Sequence, residues 1–446
     1  MITKTETLYG SRVTENPIPK INANPSIVLS GNGKRFGITR DQLSTHCLML
    51  GSTGTGKTNA ILHCIKQLKA SMNSEDVMLV FDSKLDFVRF HNAEDYVISN
   101  QRNGVAVNAD WNIFMDIVAD GWDKEAIILN ADEIAEVVFS DSIANSSQPF
   151  FPTAARDVFA AILKAMTFLG ISDMDYRIKH LNNSTLNQYL LTINAAKLVE
   201  FLNGFPELKG ILKYIGDGRS DQALGVFAEL QSITSRLFVK CFGKDGRFSV
   251  RKAERQRNGK ALFIEYDPAC GLSFQPIYRI LVDLFLKEAL SPSQKRGHVY
   301  IICDELKMLP SLNHFEDALN FGRSLGISVI AGIQSMEQLY ELYGEYGGKN
   351  IASGFQNVFC FRTSNAASRE YIKGLFGRNI CAYQYIDPAN KPREEIREGN
   401  AVEDWDITVL AKGEAIIGLD GEKPFRFYIM SADQPKKHCD TRQSRQ

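Results

Sequence analysis

Short apolar runs recur along the chain and alternate with stretches whose apolar residues have helical spacing. The run from His46 to Leu50 precedes a helix-like stretch at Asn59 to Ala70, and Val77 to Phe81 forms the next run. Short apolar runs joined by helices are typical of parallel strands buried on both faces of a sheet. Runs of this kind return later, at Ala261 to Tyr266, Val299 to Cys303, Ile327 to Ala331, Val358 to Arg362, Glu414 to Leu419 and Phe425 to Met430. The pattern predicts an α/β fold with a mostly parallel central sheet.

The middle of the chain has a different pattern. Helical periodicity dominates from Ala126 to Phe242, and strand-like runs are scarce there. We therefore expect an all-α domain at residues 126–242, inserted into a domain formed by residues 1–125 and 243–433. Residues 434–446 are polar and are expected to form a flexible tail. Near the start, Gly31-Asn32-Gly33-Lys34 between two apolar runs predicts a β-hairpin.

The composition is that of a globular protein, with 44% hydrophobic and 23% charged residues. The formal net charge is −1, from 51 basic and 52 acidic side chains, so the chain lacks the basic excess of a protein that coats DNA. A ring-shaped motor stays compatible with this balance, because only its channel must be positive. The 8 cysteines include no C-x-x-C pair, which argues against structural zinc and a disulfide framework.

No segment has the length and apolar character of a membrane-spanning helix. The best candidate, Val158 to Ile171, is short and contains Lys164, and the N-terminus lacks the apolar core of a signal peptide. We therefore expect a cytoplasmic protein that meets the inner face of the cell membrane only through a partner.

The strongest chemical signal is a glycine-rich loop after the first buried strand. Its residues fit the motif G-x-x-x-x-G-K-[ST] in full, and they are Gly51, Ser52, Thr53, Gly54, Thr55, Gly56, Lys57 and Thr58. Glycines let backbone N–H groups close around phosphate oxygens, a lysine supplies charge to the β- and γ-phosphates, and a threonine hydroxyl ligates Mg²⁺. The motif predicts a P-loop NTPase that binds ATP and Mg²⁺.

A second strand ends in two carboxylates, at Asp304 and Glu305. Beside a P-loop, we expect Asp304 to hold Mg²⁺ and Glu305 to orient and deprotonate the attacking water. The alternative interpretation is a strand that ends in a solvated acidic turn.

Three weaker signals each have an ordinary explanation. Gln334 ends a strand and either contacts the γ-phosphate or positions water, or else caps the next helix. Arg323 is either an arginine supplied across a subunit boundary or a surface residue. The basic segment Gly243 to Lys260 either faces a nucleic-acid backbone or forms a solvated loop.

Several motifs together resemble one family. They are Cys303-Asp304-Glu305-Leu306, Leu309-Pro310, Gly322-Arg323-Ser324-Leu325-Gly326, Ala331-Gly332-Ile333-Gln334-Ser335, Asp82-Ser83-Lys84-Leu85-Asp86, Trp111-Asn112-Ile113-Phe114 and Phe150-Phe151-Pro152-Thr153-Ala154-Ala155-Arg156-Asp157. This set is similar to the coupling proteins of type IV secretion systems, conjugative DNA pumps of the TraD/TraG kind within the FtsK–HerA superfamily. The similarity extends from about Ser26 to Gly377.

The resemblance implies a RecA-like P-loop ATPase with an inserted all-α domain, assembled as a homo-hexamer around DNA. It places Arg323 at the position of the family's arginine finger and Gln334 at its sensor position. It implies single-stranded DNA as the favoured track, and a relaxase or other secretion or DNA-processing protein as a partner. The alternatives are a HerA- or FtsK-type translocase on duplex DNA and an ATP-dependent receptor or scaffold for protein substrates.

Two features depart from the family pattern. Family members usually begin with membrane-spanning helices, and no such segment is visible in this sequence. We therefore expect either a soluble member docked to a membrane partner or a protein that works away from a secretion channel. Leu85 also stands where a glycine is common, so the loop after Asp82 is expected to differ.

Overall fold

The computed structural model describes residues 2–15, 24–101, 104–216, 218–292, 297–309, 311–386 and 391–432. They form two compact units, which we call unit 1 (Met1–Ser71 and Ser328–Gln446) and unit 2 (Met72–Ile327). The expected tail at 434–446 and Pro310 of the family motif lie outside the described residues. The domain boundaries expected from the sequence stay a prediction.

Fifteen strands are present in the described part of the chain. They are β1 (Ile2–Gly10), β2 (Ile27–Gly31), β3 (Lys34–Ile38), β4 (Cys47–Leu50), β5 (Val77–Asp82), β6 (Tyr96–Ile98), β7 (Val107–Asn108), β8 (Lys260–Glu265), β9 (Val299–Cys303), β10 (Ile327–Ile333), β11 (Asn357–Phe361), β12 (Arg378–Ile386), β13 (Pro392–Asn400), β14 (Glu414–Gly418) and β15 (Phe425–Tyr428).

The α-helices of the described residues also number fifteen. They are α1 (Arg40–Ser44), α2 (Lys57–Ser71), α3 (Ile113–Ile117), α4 (Lys124–Asn145), α5 (Phe150–Ser172), α6 (Met174–His180), α7 (Asn183–Thr192), α8 (Ala195–Leu202), α9 (Asp221–Thr234), α10 (Val250–Gln256), α11 (Gly271–Ala289), α12 (Phe315–Leu325), α13 (Met336–Ser353), α14 (Ala366–Phe376) and α15 (Asp404–Thr408).

In unit 1 the strand order is β15-β14-β11-β4-β10. Strands β10 and β11 both run parallel to β4, with Leu50 opposite Ile333 on one side and opposite Cys360 on the other. Strands β14 and β15 continue the sheet in antiparallel pairing. All residues of β4, β10 and β11 are buried, as expected for strands covered on both faces.

Two smaller antiparallel sheets also belong to unit 1. The predicted hairpin is confirmed: β2 pairs with β3, and its turn residues Asn32 and Gly33 have φ values of 48° and 75°, as a tight primed turn requires. Strand β12 pairs with β1 on one side and with β13 on the other.

In unit 2 the strand order is β9-β5-β8-β6-β7, and every pairing is parallel. The predicted α/β fold with a mostly parallel sheet is therefore confirmed. The described residues between 124 and 242 contain helices and no strand, with the long helices α4 and α5 packed against each other.

The Trp-Asn-x-Phe element, Trp111 to Phe114, forms hydrogen bonds that connect the helical residues between 124 and 242 to the rest of unit 2. The Asn112 amide donates to the carbonyl oxygens of Leu181 and Gly246, both at 2.8 Å, and its Oδ1 accepts the Phe114 N–H at 2.9 Å. Trp111 Nε1 donates to Asp116 at 2.6 Å. These buried bonds give the element a structural role, because each polar group would be costly if left unpaired.

Three arginines of the basic segment, Arg251, Arg255 and Arg257, form ion pairs within unit 2. Arg251 is only 4% exposed, and it contacts Glu288 at 2.5 Å and Asp120 at 2.7 Å. Arg255 contacts the same two carboxylates, and Arg257 pairs with Glu254 at 2.6 Å. The charge of these three arginines is therefore neutralised within the fold, whereas Arg247 and Lys252 of the same segment are exposed.

We expect Arg251→Met to destabilise the protein by about 3–5 kcal/mol, because it leaves Glu288 and Asp120 with less compensation for their charge. The exposed neighbour Lys252 provides a matched control on the same helix, and Lys252→Met should change stability by about 0.5 kcal/mol or less. Urea unfolding of both variants measures the difference. Equal midpoints for the two would show that the buried pairs contribute little.

Candidate nucleotide-binding site

The glycine-rich loop is fixed at the carboxyl edge of the unit 1 sheet by its neighbours. The Gly51 N–H donates to the Ile333 carbonyl at 3.2 Å, and the Ser52 N–H donates to the Arg362 carbonyl at 2.9 Å. A Cβ on Gly51 would lie 2.6 Å from the Cβ of Phe361. The base of the loop therefore requires glycine and a sheet in this register.

The crest of the loop has the backbone that a phosphate-binding turn needs. Gly54 and Gly56 have φ values of 76° and 126°, a region that residues with a side chain rarely adopt. A Cβ on Gly56 would meet Gly413 at 2.9 Å, whereas the space beside Gly54 is open. The loop is thus packed on one side and accessible at its crest.

Lys57 places its charge at the centre of the loop. Its ammonium donates to the carbonyl oxygens of Gly51 and Ser52, the latter at 3.2 Å, and the residue is only 7% exposed. Lys57 and Thr58 are the first two residues of α2, so the positive end of the helix and the Thr58 hydroxyl lie at the same point. This arrangement suits the phosphates of a nucleotide.

Two later segments of the chain form hydrogen bonds with the P-loop and with the first turn of α2. The sequence does not predict these contacts. The Gly413 N–H donates to the Thr55 carbonyl at 2.8 Å. Asn59, on the first turn of α2, donates to the Met430 carbonyl at 3.0 Å and accepts the Ala432 N–H at 2.7 Å. No local sequence signal pairs these positions, because they are more than 350 residues apart.

Gln334 lies beside the P-loop, as its position after β10 predicts. The Thr53 hydroxyl donates to Gln334 Oε1 at 2.9 Å. The Gln334 N–H donates to the side chain of Gln338 at 2.8 Å, so the backbone at the start of α13 is also fixed.

Asp304 and Glu305 follow β9 at the carboxyl edge of the unit 2 sheet. They are 2% and 1% exposed, which excludes a solvated acidic turn. The Ser83 N–H donates to Asp304 Oδ1 at 3.2 Å, whereas Oδ2 is buried and has no hydrogen-bond partner among the described residues. Burial raises the pKa of Asp304 to about 6, and the neighbouring Asp82 adds to this shift while hydrogen bonding to Ser83 opposes it. A buried carboxylate oxygen of this kind suits a divalent cation.

Two more carboxylates end the adjacent strands of unit 2. Asp82 of β5 is directly opposite Glu265 of β8. Burial raises the pKa of Glu265 to about 7, with a contribution from the charge of Asp82 and an opposing hydrogen bond from Ser99. The motif beginning at Asp82 is visible in the sequence. Nothing in the sequence singles out Glu265 as a site residue, because the strand that it ends carries no motif.

The turn after Asp82 is organised by that carboxylate. It accepts the N–H groups of Lys84, Asp86 and Phe87 at 3.2, 3.1 and 2.8 Å. Leu85 has φ 62°, in the left-handed region that favours glycine. Leu85 therefore adopts this backbone at a strain of about 1–2 kcal/mol.

Arg323 and Asp304 are associated with opposite ends of β9. Arg323 is exposed in the last turn of α12, and the Gly326 carbonyl that follows accepts the N–H of Val299, the first residue of β9. Asp304 follows the last residue of that strand. The structure does not bring these two side chains together within unit 2.

The described residues show neither a cluster of metal ligands nor a membrane-spanning helix. No group of three or more His, Cys, Asp or Glu side chains is arranged to hold a metal ion there. None of the described helices combines the length and apolar character needed to cross a membrane.

The parallel sheets and the loop from Gly51 to Thr58 define a P-loop NTPase fold. The sequence model of the type IV secretion-system coupling protein DNA-binding domain matches residues 36–386. The chain belongs to this family, and the resemblance found in its motifs is confirmed.

Curated relatives share low identity over long alignments. The chain is 22% identical to coupling protein TraD of Escherichia coli (strain K12) over 417 residues, which cover 89% of this chain and 53% of that protein. It is 22% identical to the type IV secretion system-coupling protein VirD4 of Bartonella quintana (strain Toulouse) over 209 residues, which cover 46% and 33%. The chain thus spans about half or less of the length of these relatives.

Solved structures of the conjugative coupling protein TrwB have the same fold. The form in complex with sulphate has a TM-score of 0.74 at 20% identity, covering 96% of this chain and 97% of that chain. The complex with ADP and Mg²⁺ has a TM-score of 0.71 at 19% identity, covering 97% and 96%.

We expect the buried carboxyls of unit 2 to make stability depend on pH. A carboxyl whose pKa is raised on folding binds more protons in the folded state, so stability falls as the pH rises from its unfolded towards its folded pKa. For Glu265 this window extends from about pH 4.5 to about pH 7. Glu265→Gln should flatten the fall and raise the urea midpoint at pH 8 more than at pH 4.5.

Urea titrations at several pH values in this range compare the two proteins, and part of the slope should persist because Asp304 titrates in the same direction. Identical slopes for the parent and the Gln variant would contradict a proton held by Glu265.

Proposed function

We propose that this protein is an ATP-hydrolysing DNA translocase, a conjugative coupling protein that moves single-stranded DNA to a type IV secretion channel. The observation that carries the proposal is the Lys57 ammonium, held inside a glycine-rich loop at the tip of parallel strands in a member of the coupling protein family. Solved TrwB complexes with ADP and Mg²⁺ and with the ATP analogue ADPNP support ATP and Mg²⁺ as the ligands.

In this proposal the P-loop residues from Gly51 to Thr58 hold the phosphates. Lys57 contacts the β- and γ-phosphates, and Thr58 and Asp304 hold Mg²⁺, which neutralises charge on the transferring phosphoryl group. Glu305 takes the proton of the attacking water. The buried Oδ2 of Asp304, which has no hydrogen-bond partner in the part of the chain that the structure describes, supports the cation assignment.

Arg323 acts on the nucleotide of a neighbouring subunit in this proposal. Arg323 is exposed in the last turn of α12, which leads to the start of β9, while Asp304 follows the end of that strand, and this arrangement supports action between copies of the chain. We therefore propose a homo-hexamer in which each nucleotide is completed by the next subunit.

The partners follow from the same assignment. We propose that the helical domain at 126–242 contacts a relaxase or another secretion or DNA-processing protein, and that any contact with the membrane is peripheral. The internal ion pairs of Arg251, Arg255 and Arg257 indicate that other basic residues meet the DNA.

We expect Lys57→Ala to lower ATP hydrolysis by on the order of 100-fold or more, because it removes the charge at the centre of the loop. Steady-state phosphate release measures the effect. Lys66→Ala, which changes a lysine of the same helix, is the control and should keep most of the activity. Persistent turnover in the Lys57 variant would refute the assignment of this loop.

The DNA track is tested by stimulation of hydrolysis. A single-strand translocase should hydrolyse ATP faster with single-stranded DNA than with duplex DNA or without DNA. Stronger stimulation by duplex DNA would instead identify a HerA- or FtsK-type translocase. Indifference to both would identify an ATP-dependent receptor for protein substrates.

Mixing two inactive variants tests Arg323. Arg323→Ala should lower hydrolysis by about 10³-fold if the arginine stabilises the transferring phosphoryl group. Adding Lys57→Ala, which has an intact Arg323, should restore activity to the Arg323→Ala subunits. Each variant measured alone is the control, and a mixture no more active than its parts would rule out action between subunits.

A further inference from the structure

The helical residues of unit 2 contain a row of aromatic rings. Phe168 of α5 contacts Phe205 with ring centroids 5.9 Å apart, and Phe205 contacts Phe201 of α8 at 6.0 Å. Phe201 in turn contacts Tyr189 of α7 at 5.1 Å. The row therefore connects three helices, with one end on α5 and the other on α7.

A cation lies on the α5 end of this row. The Lys124 ammonium is 4.9 Å from the centroid of the Phe168 ring, and it pairs with the Glu207 carboxylate at 2.7 Å. The face of an aromatic ring carries partial negative charge and attracts a cation, and a nearby carboxylate adds to this attraction. This end of the row thus combines a ring, a cation and a carboxylate.

The α7 end of the row has rings and a carboxylate beside an open cavity. The cavity has a volume of about 540 Å³, and Tyr189, Glu200 and Phe201 are among the residues that line it. Glu200 is exposed and forms no ion pair with any other residue that the structure describes. Lys197 also lines the cavity, but its ammonium donates to the Thr192 carbonyl at 3.0 Å.

The Glu200 carboxylate acts electrostatically on the wall of this cavity. Burial raises the pKa of the Tyr189 phenol, and Tyr176 and the charge of Glu200 add to the shift. The phenol therefore stays neutral, and its ring remains an aromatic wall beside a negative charge.

We infer that this cavity is a docking site for an arginine side chain of a partner polypeptide. The guanidinium lies against the rings of Tyr189 and Phe201 and pairs with Glu200, as Lys124 lies over Phe168 at the other end of the row. The inference rests on the proposed function, since it gives the chemistry by which the helical domain binds a secretion or DNA-processing protein.

Charge decides between a polypeptide and a nucleic acid as the ligand of this cavity. Nucleobases also stack on aromatic rings, but each nucleotide brings a phosphate with it. A carboxylate repels a phosphate, whereas it attracts a guanidinium and accepts two hydrogen bonds from it. The cavity therefore fits a basic polypeptide better than single-stranded DNA.

The test uses the full chain and a fluorescein-labelled peptide of Gly-Arg repeats. A matched peptide contains citrulline, which has nearly the shape of arginine but no charge. Fluorescence anisotropy should show that the arginine peptide binds about tenfold more tightly, because the contact with the rings and the ion pair both need the charge. Equal affinities for the two peptides would overturn the inference.

Substitutions in the cavity locate the binding. Glu200→Gln should reduce the difference between the peptides to about threefold or less. Glu229→Gln removes the same charge from α9, outside the cavity, and should leave the difference unchanged. Phe201→Ala should weaken binding of the arginine peptide by about fivefold, whereas Phe201→Tyr keeps a ring and should keep the affinity. Equal effects of the two Gln variants, or full affinity in Phe201→Ala, would contradict docking in this cavity.

A single-stranded oligonucleotide tests the other class of ligand. If Phe201→Ala weakens binding of the oligonucleotide as much as it weakens binding of the arginine peptide, the cavity binds nucleobases and the inference is wrong. An effect on the peptide alone supports the docking site.

Failure of the inference is distinguishable from failure of the proposed function. Steady-state ATP hydrolysis by Glu200→Gln and Phe201→Ala should match that of the parent, since neither residue belongs to the nucleotide site. If the parent hydrolyses no ATP, the proposed function is wrong. If hydrolysis is normal and the two peptides bind equally, only the docking site is wrong. Thermal unfolding of each variant confirms that the compared proteins are folded.

Discussion

The P-loop depends on two backbone hydrogen bonds that hold it between the strands on either side of β4. Gly51 is bonded to the end of β10 and Ser52 to the residue after β11. Both acceptors are at these places only when the three parallel strands keep their register. The position of the Lys57 ammonium, the open crest at Gly54 and the approach of Gln334 to Thr53 all follow from this register.

A related constraint operates at the edge of the unit 2 sheet, where parallel strands end together in carboxylates. The register of β9, β5 and β8 places Asp304, Asp82 and Glu265 in neighbouring positions. Loss of hydration and mutual repulsion disfavour their charged forms, which is why the pKa values of all three are raised. An acidic edge of this kind lowers stability at neutral pH, and a protein tolerates it where function needs a cation or a proton.

The sequence predicts those parts of the site that are encoded locally. The P-loop and the carboxylates after β9 are short motifs attached to apolar strands, so their place at strand ends was predictable. The contact between Thr53 and Gln334 was not, since it depends on the register of two strands separated by about 280 residues. The hydrogen bond from the Gly413 N–H to the Thr55 carbonyl was likewise not predictable, because no short motif links these two positions.

The basic segment illustrates the same limit for charge. Counting lysines and arginines from Gly243 to Lys260 gives a basic run, but the carboxylates that neutralise Arg251 and Arg255 are at Asp120 and Glu288, far along the chain. Local charge therefore overestimated the surface potential of this segment. At Leu85 the chain adopts a left-handed backbone in spite of the side chain, and the expected difference of this loop from the family pattern stays a prediction.

The length of β9 connects the proposed ATP hydrolysis to the proposed assembly of several subunits. The strand has five residues, so Val299 at its start and Asp304 after its end are about 16 Å apart at the usual rise per residue. Gly326, which follows α12 and its Arg323, is bonded to Val299 at the start of the strand. An arginine side chain does not bridge that distance while remaining exposed on α12. Within the proposed function, Arg323 and Asp304 of one copy therefore act on different nucleotides. Hydrolysis then depends on a neighbouring subunit, and a ring motor needs this dependence to hydrolyse ATP at its sites one after another.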